Sequence, residues 1–196
     1  MKTTCLGLLT GAALAAFSTA AVAADTYNVD PAHDWVTFAV NHSGWDMAQG
    51  IFRNVSGTIT LDKDDVTKSK VSVKIDATSI DTNFAKRNSD LQSPDFLNTA
   101  EFPAITFDST SIEKTGDKSG KITGNLGMIG MSVPVTLDAT WSGVEAAYPW
   151  APDVMRTGFT ATGVVHTADF KMAKVAEYGL GPDIMVTINV EGEKAK

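Results

Sequence analysis

Alternation of apolar and polar residues runs through most of this chain and constrains its fold more than any other feature. Val71, Val73 and Ile75 alternate with polar residues, and residues 133–141 and 184–190 repeat the pattern. Successive side chains of an extended strand point to opposite faces, so this period of two predicts strands with one apolar and one polar face. The chain is therefore predicted to be all-β.

Eight segments carry the alternation, some strongly and some weakly, at short spacing along the chain. They are residues 36–40, 52–61, 71–77, 104–110, 122–128, 133–141, 157–165 and 184–190. Turn-forming sequences separate them, among them residues 116–118 (GDK) and 181–183 (GPD). Eight short strands joined by tight turns predict an antiparallel barrel or sandwich in a single domain.

One stretch after the third strand breaks the alternation. Residues 84–91 contain better helix formers, and Ser93 followed by Pro94 is a typical helix start with serine as the N-cap. Phe102-Pro103 should end the helical stretch and return the chain to a strand. Two short helices are thus predicted here, covering a sheet edge or closing one end of a barrel.

The first residues of the chain are typical of a secretory signal peptide. Lys2 supplies a positive charge, residues 6–17 form a mainly apolar run, and residues 21–23 (AVA) offer a small-residue cleavage site. The run is too short to span the roughly 30 Å of hydrocarbon in a bilayer. We therefore predict a signal peptide over residues 1–24 and one exported domain over residues 25–196, which lacks the chain's single cysteine, Cys5.

Charge and composition argue against several classes of function. With 23 acidic and 16 basic residues, the net charge of −7 makes nucleic acid a poor candidate partner. His33, His42 and His166 have no metal-ligand spacing, and one cysteine cannot build a zinc site. The sequence contains no nucleophile elbow and no cofactor motif. It thus predicts no metal, no cofactor and no enzyme activity.

The alternative for an exported eight-stranded chain is an outer-membrane barrel. The spanning strands of such barrels need about 9–11 residues, with aromatic girdles at both interfaces. Several of the alternating segments are shorter than this. The prediction is a barrel with its apolar face inside and no stable membrane insertion.

Longer stretches of the chain resemble a known family. Residues 78–110, TSIDTNFAKRNSDLQSPDFLNTAEFPAITFDST, are similar to the central signature of the YceI-like family, and residues 27–59, YNVDPAHDWVTFAVNHSGWDMAQGIFRNVSGTI, to its first hairpin. Further matches are residues 124–139, residues 156–163 and Asp169-Phe170. The resemblance covers nearly all of the predicted mature chain. It implies a periplasmic, polyisoprenoid-binding protein with a lipocalin-like, antiparallel eight-stranded barrel.

The chain departs from the pattern of the YceI-like family in one segment. Where the family usually has R-D-x-H-L, residues 87–91 are RNSDL. Asn88 therefore replaces an aspartate and Asp90 replaces a histidine. An acidic residue is thus replaced by a neutral amide at one position, and a histidine by an acidic residue at the other.

The inward face of the predicted strands supplies the candidate ligand site. An eight-stranded barrel has room for side chains alone or for one slender ligand, and Ala139, Ala161 and Gly163 are among the strand residues small enough to leave such room. The residues predicted to line the site are Val36, Phe38, Val40, Phe52, Val73, Ile75, Phe107, Leu126, Leu137 and Phe159.

Polar residues at a mouth of the barrel are expected to select the head group of a ligand. The candidates are His42, Asn83, Arg87 and Arg156. An arginine fork suits a pyrophosphate or a quinone carbonyl, and surface ion pairs are the alternative role for both arginines. For His42 the alternative is a hydrogen-bonded histidine at the rim.

The resulting hypothesis is an exported protein that sequesters or transports a long isoprenoid lipid, either a polyisoprenoid or an isoprenoid quinone. The resemblance implies the isoprenoid, whereas the residues themselves support an elongated apolar molecule. The alternatives are a secreted enzyme acting on a lipid or a reactive small molecule, and a stress-response interaction module with a solid core. Both a monomer and a homodimer remain open.

The signal peptide leads to a first testable prediction. The exported protein should begin at Ala24 or Asp25 and contain no free thiol, because cleavage after the small-residue site removes Cys5. Intact-mass spectrometry of the exported protein measures both properties. A mature form that retains Cys5 would contradict the prediction.

Overall fold

The computed structural model describes residues 24–196, so the predicted signal peptide lies outside the described residues. The strands are β1 (Asp25–Val29), β2 (Trp35–His42), β3 (Asp46–Phe52), β4 (Val55–Leu61), β5 (Lys70–Asp76), β6 (Ile80–Asp81), β7 (Ala104–Lys114), β8 (Ser119–Met128), β9 (Met131–Tyr148), β10 (Ala151–His166) and β11 (Leu180–Lys194). The helices are α1 (Ala85–Gln92) and α2 (Lys174–Glu177), with short 3₁₀ turns at Val66–Lys68, Ala77–Ser79 and Thr167–Phe170.

Pairing between the first and last strands closes the sheet into a barrel. Tyr27 of β1 lies opposite Lys194 of β11, and the ring β1-β4-β5-β7-β8-β9-β10-β11 is antiparallel throughout. β2 extends this wall alongside β11, followed by β3 and β6. In the wall, β1 and β2 are two consecutive parts of one bent strand. The same is true of β3 with β4 and of β5 with β6. The predicted eight-stranded antiparallel barrel is confirmed.

The alternating pattern sorts the side chains of each strand between the inside and the outside of the barrel. On β5, Val73 and Ile75 face the interior, whereas Lys74 between them is exposed. Val36 and Val40 of β2 are buried in the same way. Apolar side chains therefore point inward, the reverse of the outward apolar band of an outer-membrane barrel. Within residues 24–196, no helix has the length and hydropathy needed to cross a bilayer.

The segment after the third strand of the ring contains one helix rather than two. Helix α1 forms where residues 84–91 predicted it, but residues 93–97 form tight turns, in which the Phe96 and Asn98 N–H groups both donate to the Ser93 carbonyl. Phe96 and Leu97 are both buried. In a helix, consecutive side chains point about 100° apart, so a helix would not direct both Phe96 and Leu97 at the barrel. The turns bury both. The second short helix, α2, precedes β11 instead.

The two ends of the barrel differ in the length of the segments that connect the strands. The turns at residues 62–69, 115–118 and 149–150 lie at one end, called here the hairpin end. Residues 43–45, 82–103, 129–130 and 167–179 lie at the other, called the helical end, which carries α1 and α2. The chain thus puts short hairpins at one end and longer covering segments at the other.

Glycines in the wall let large side chains lie flat against it. A Cβ added at Gly124 of β8 would come within 2.5 Å of the Phe107 ring and 2.7 Å of the Asp108 carbonyl oxygen. Phe107 can thus occupy the space over the β8 backbone instead of projecting into the centre of the barrel.

Replacement of Gly124 should therefore cost stability. Gly124→Ala is expected to lower the free energy of unfolding by about 1–3 kcal/mol, because the Asp108 backbone cannot move away easily. In the control Gly158→Ala, the added Cβ would meet Ser142 at an ordinary 3.6 Å. Urea denaturation measures both changes, and equal stabilities of the two variants would contradict this account of the wall.

The bend between β1 and β2 buries the carboxyl group of Asp34, which the Glu191 N–H approaches outside hydrogen-bonding geometry. Asp34 is 7% exposed, and neither of its oxygens meets a donor at hydrogen-bonding geometry. Burial, reinforced by the nearby charge of Asp30, raises the pKa of Asp34 to about 7. In the unfolded chain, an aspartate ionises near pH 3.9. The folded protein therefore holds a proton on Asp34 that the unfolded chain releases.

This buried acid predicts a loss of stability as the pH rises from about 4 to about 7. Over this window only the folded state binds the Asp34 proton, so the free energy of unfolding should fall by at most about 1.4 kcal/mol per pH unit. Asp34→Asn should remove this slope and make the protein more stable than the wild type at pH 7. Asp153→Asn, at an exposed carboxylate, is the control. Chemical denaturation across the pH range measures the effect, and parallel curves for wild type and Asp34→Asn would contradict it.

Candidate ligand-binding cavity

A cavity of about 310 Å³ lies inside the barrel, and its wall is almost wholly apolar. All strands of the ring except β1 contribute to the wall, as do β2, β3 and β6. Ala139 of β9 and Ala161 of β10 lie opposite each other in the wall and leave room between the larger side chains. Each residue predicted to line the site does line this cavity: Val36, Phe38, Val40, Phe52, Val73, Ile75, Phe107, Leu126, Leu137 and Phe159.

The helical end of the cavity is closed by apolar packing. Phe96 and Leu97 from the turns after α1 are buried at this end, and Val175 of α2 is 4% exposed. These three residues also form part of the cavity wall. Closure of one barrel end by the covering segments thus agrees with the expectation for the region after the third strand.

Polar residues border the cavity at the hairpin end. Lys114, Asp117, Lys118 and Ser119 of the β7–β8 hairpin line it, together with Trp141 of β9. The sequence marked residues 116–118 as a turn only, since nothing in the local pattern shows which turn a closed barrel places beside the lumen. We refer to these five residues as the mouth.

The long β9–β10 hairpin bends across the hairpin end. β8 pairs with β9 only as far as Thr140, and beyond this point Gly143 has a φ of +70°. Glu145 accepts a hydrogen bond from the Tyr27 hydroxyl and lies 2.6 Å from the Lys63 Nζ. The hairpin is therefore anchored to the opposite wall, at β1 and at the β4–β5 turn.

Burial shapes the chemistry of the Glu145 anchor. Tyr27 is fully buried and packs edge-on against Phe159, with ring centroids 6.4 Å apart. This burial and the hydrogen bond to Glu145 raise the pKa of Tyr27. Although burial opposes ionisation of Glu145, hydrogen bonds from Lys63 and Tyr27 hold the pKa of Glu145 below its usual value. The anchor is thus an ionised carboxylate between a neutral phenol and an ammonium group.

The four polar residues predicted at the mouth lie outside the cavity wall. His42 is at the helical end, where its ring meets Trp45 edge-on at 5.5 Å. Asn83, with a φ of +59°, donates its backbone N–H to Asp81. Arg87 donates from Nε to the Thr82 hydroxyl at 2.9 Å and from Nη2 to the Thr82 carbonyl at 2.8 Å. Arg156 pairs with Glu193 near the end of β11, away from the other three at the helical end, so the four do not form one site, and their role in binding stays a prediction.

Asn88 keeps an acceptor at the position where the family usually has an aspartate. Its Oδ1 accepts from the Thr82 N–H at 2.8 Å and from the Thr82 hydroxyl at 2.7 Å. Asp90 pairs with Lys86 across one turn of α1 at 3.0 Å. At the first departure, Asn88 thus holds α1 to the end of β6 through these hydrogen bonds, and at the second, Asp90 forms an exposed ion pair.

Arg156 is held in a cluster of acids outside the cavity. Its guanidinium pairs with Asp30 at 2.5 Å and with Glu193, and it lies over the Tyr148 ring, 5.1 Å from the centroid. Despite the burial of Asp30, hydrogen bonds from His33, the Ala32 N–H and Arg156 lower the pKa of Asp30 to about 2. These contacts match the ion-pair alternative for this arginine.

The same cluster contains three side chains with the spacing of metal ligands. One ligand atom from each of Asp30, His33 and Glu191 lies within 4.8 Å of the others. The Arg156 Nη1 is, however, 2.5 Å from Asp30 and 3.9 Å from Glu191. A guanidinium therefore already supplies the positive charge that a cation would bring.

Comparison with known proteins identifies the family. The model of the YceI-like domain matches residues 27–192. Protein YceI of Escherichia coli O157:H7 is 41% identical over 201 aligned residues that span the whole of both chains.

Solved structures share the barrel. The Campylobacter jejuni YceI protein is 29% identical, has a TM-score of 0.68, and aligns over 76% of this chain and 86% of its own. A polyisoprenoid binding domain from Saccharophagus degradans has a TM-score of 0.66 at 14% identity, over 86% of this chain and 98% of its own. The last likeness is one of fold alone, but the match to the domain and the full-length identity to protein YceI show that the chain belongs to the YceI-like family.

Proposed function

We propose that this protein is a carrier in the periplasm that takes up a long isoprenoid lipid, a polyisoprenoid or an isoprenoid quinone, inside its barrel. The observation that carries the proposal is the apolar cavity. Its wall consists mainly of large apolar residues, and Ala139 and Ala161 leave space between them. Transfer of each CH₂ group of a ligand from water into such a wall contributes about 0.8 kcal/mol. A long hydrocarbon tail therefore binds without strong polar contacts.

The choice of an isoprenoid among apolar ligands is supported by the relatives. The Saccharophagus degradans domain, which shares the fold, is described as polyisoprenoid-binding. The barrel of the present chain has the same layout and an interior suited to a slender tail. The predicted signal peptide supports export to the compartment where the carrier would act.

The mouth supports a place for the head group at the hairpin end. Lys114 and Lys118 bring ammonium groups to an otherwise apolar cavity, and Trp141 offers an aromatic ring beside them. Trp141 is oriented by a 2.6 Å hydrogen bond from its Nε1 to the Thr157 hydroxyl. Ammonium groups suit the phosphate oxygens of a phosphorylated isoprenoid, and the tail then runs toward the helical end.

The cavity also bears on the two alternative functions. A solid interaction module has no use for an apolar cavity, because empty space in a core costs packing energy. An enzyme needs polar groups that converge on a reacting atom. The polar residues of this cavity wall lie mainly at its hairpin end, which suits recognition of one end of a ligand.

The proposal predicts that the purified native protein contains a stoichiometric isoprenoid, which mass spectrometry of an organic extract would identify. Ala161→Phe should abolish this content, since the ring would fill the space opposite Ala139 with little effect on folding. Thr162→Phe is the matched control, because Thr162 is exposed on the same strand. Thermal melts establish that both variants fold.

Two outcomes would contradict the carrier. An extract without lipid from native protein would favour the interaction module, and turnover of a bound lipid would favour the enzyme. Equal lipid content in Ala161→Phe and Thr162→Phe would show that the ligand does not lie in the cavity.

A further inference from the structure

The tip of the β9–β10 hairpin, residues 144–155, exposes large apolar side chains to solvent. Trp150 is 79% exposed, Val144 59% and Met155 37%. The Tyr148 ring stacks on Trp150 at a centroid distance of 4.7 Å and an angle of 9°. Tyr148 also lies beneath the Arg156 guanidinium. The indole is thus held outward by a ring that is itself fixed to the barrel, and little side-chain freedom is left to lose when a partner binds it.

The base of the hairpin that carries this tip lies directly beside the mouth. The Trp141 N–H, at the base of the hairpin, donates to the Lys118 carbonyl at 2.8 Å, and Ser119 lies opposite Thr140. Glu145 holds the hairpin across the hairpin end through Tyr27 and Lys63. A surface that binds the tip therefore lies at the same end of the barrel as the mouth.

The charge of the tip narrows the class of partner. Residues 142–155 contain no lysine or arginine, and their acids are Glu145 and Asp153. Glu145 is already bound to Lys63, and the whole chain has a net charge of −7. A partner of high negative charge is disfavoured, whereas an uncharged apolar phase suits these side chains.

We propose that residues 144–155 dock on the surface of a lipid bilayer, with Trp150 in the interfacial region, and so place the mouth against the membrane. The inference rests on the proposed function, because a carrier of a membrane lipid must collect it from a bilayer. Trp and Tyr are the residues that favour the boundary between hydrocarbon and water. Docking by this tip lets the tail pass from the bilayer into the cavity with little exposure to water.

Another exposed tryptophan, Trp45, supplies a control. Trp45 is 80% exposed at the helical end, where Phe96 and Leu97 close the cavity. A bilayer at that end would face the closed side of the barrel. The two tryptophans thus have the same exposure but lie at opposite ends.

The experiment measures the fraction of protein that floats with phosphatidylcholine vesicles in a density gradient. Trp150→Ala should weaken vesicle binding about tenfold, because it removes the largest apolar side chain of the tip, and Trp45→Ala should leave it unchanged. Binding should not weaken when the salt concentration is raised, and it should be lower with anionic phosphatidylglycerol vesicles. In the triple variant Trp35→Phe, Trp45→Phe, Trp141→Phe, which keeps Trp150 as its one tryptophan, acyl chains brominated near the head group should quench the fluorescence.

Each opposite outcome would overturn the docking. The first is that the wild type does not bind vesicles, and the second is that only Trp45→Ala weakens vesicle binding. The third is that the wild type is a dimer, which Trp150→Ala dissociates without changing vesicle binding. The lipid content of the same preparations is measured in parallel. If the protein contains lipid but does not bind vesicles, only the docking is contradicted. If the barrel contains no lipid, the proposed function is contradicted, whether or not the protein binds vesicles.

Discussion

Backbone pairing between β1 and β11 is the constraint on which the remaining structure depends. Tyr27, Asn28 and Val29 lie opposite residues 192–194, so the ends of the described chain meet and leave no open edge in the ring. Closure turns one face of every strand into an interior. Together with the pairing of β2 to β11, this contact encloses the apolar face and so creates the cavity and its mouth.

The size of the cavity follows from how the wall is packed. Phe107 spreads over Gly124, and the Phe38 ring lies within 2.3 Å of the Cβ position at Gly50. Rings that lie against glycine backbone enlarge the apolar surface of the wall without filling its centre. The covering turns after α1 pack over the helical end of the cavity, and polar groups border it at the hairpin end.

The inner face of the barrel could be predicted from sequence because strand alternation is a local property. Each predicted lining residue does line the cavity, from Val36 to Phe159. The contacts of the polar candidate residues could not be predicted in this way. Nothing local showed that Arg156 meets Asp30 across 126 residues, or that the Thr82 backbone holds Arg87.

The sequence by itself predicted the eight alternating segments, their inward faces and the position of α1, since each depends on neighbours within a few residues, but it missed β1 and β6 and the break between β3 and β4. The tertiary structure decided which end is closed, which turn borders the cavity and how the β9–β10 hairpin is anchored. Glu145 reaches Tyr27 across 118 positions of the chain. Such contacts depend on the register of strand pairs and on the bends of the hairpin, and an alternating pattern carries no information about either.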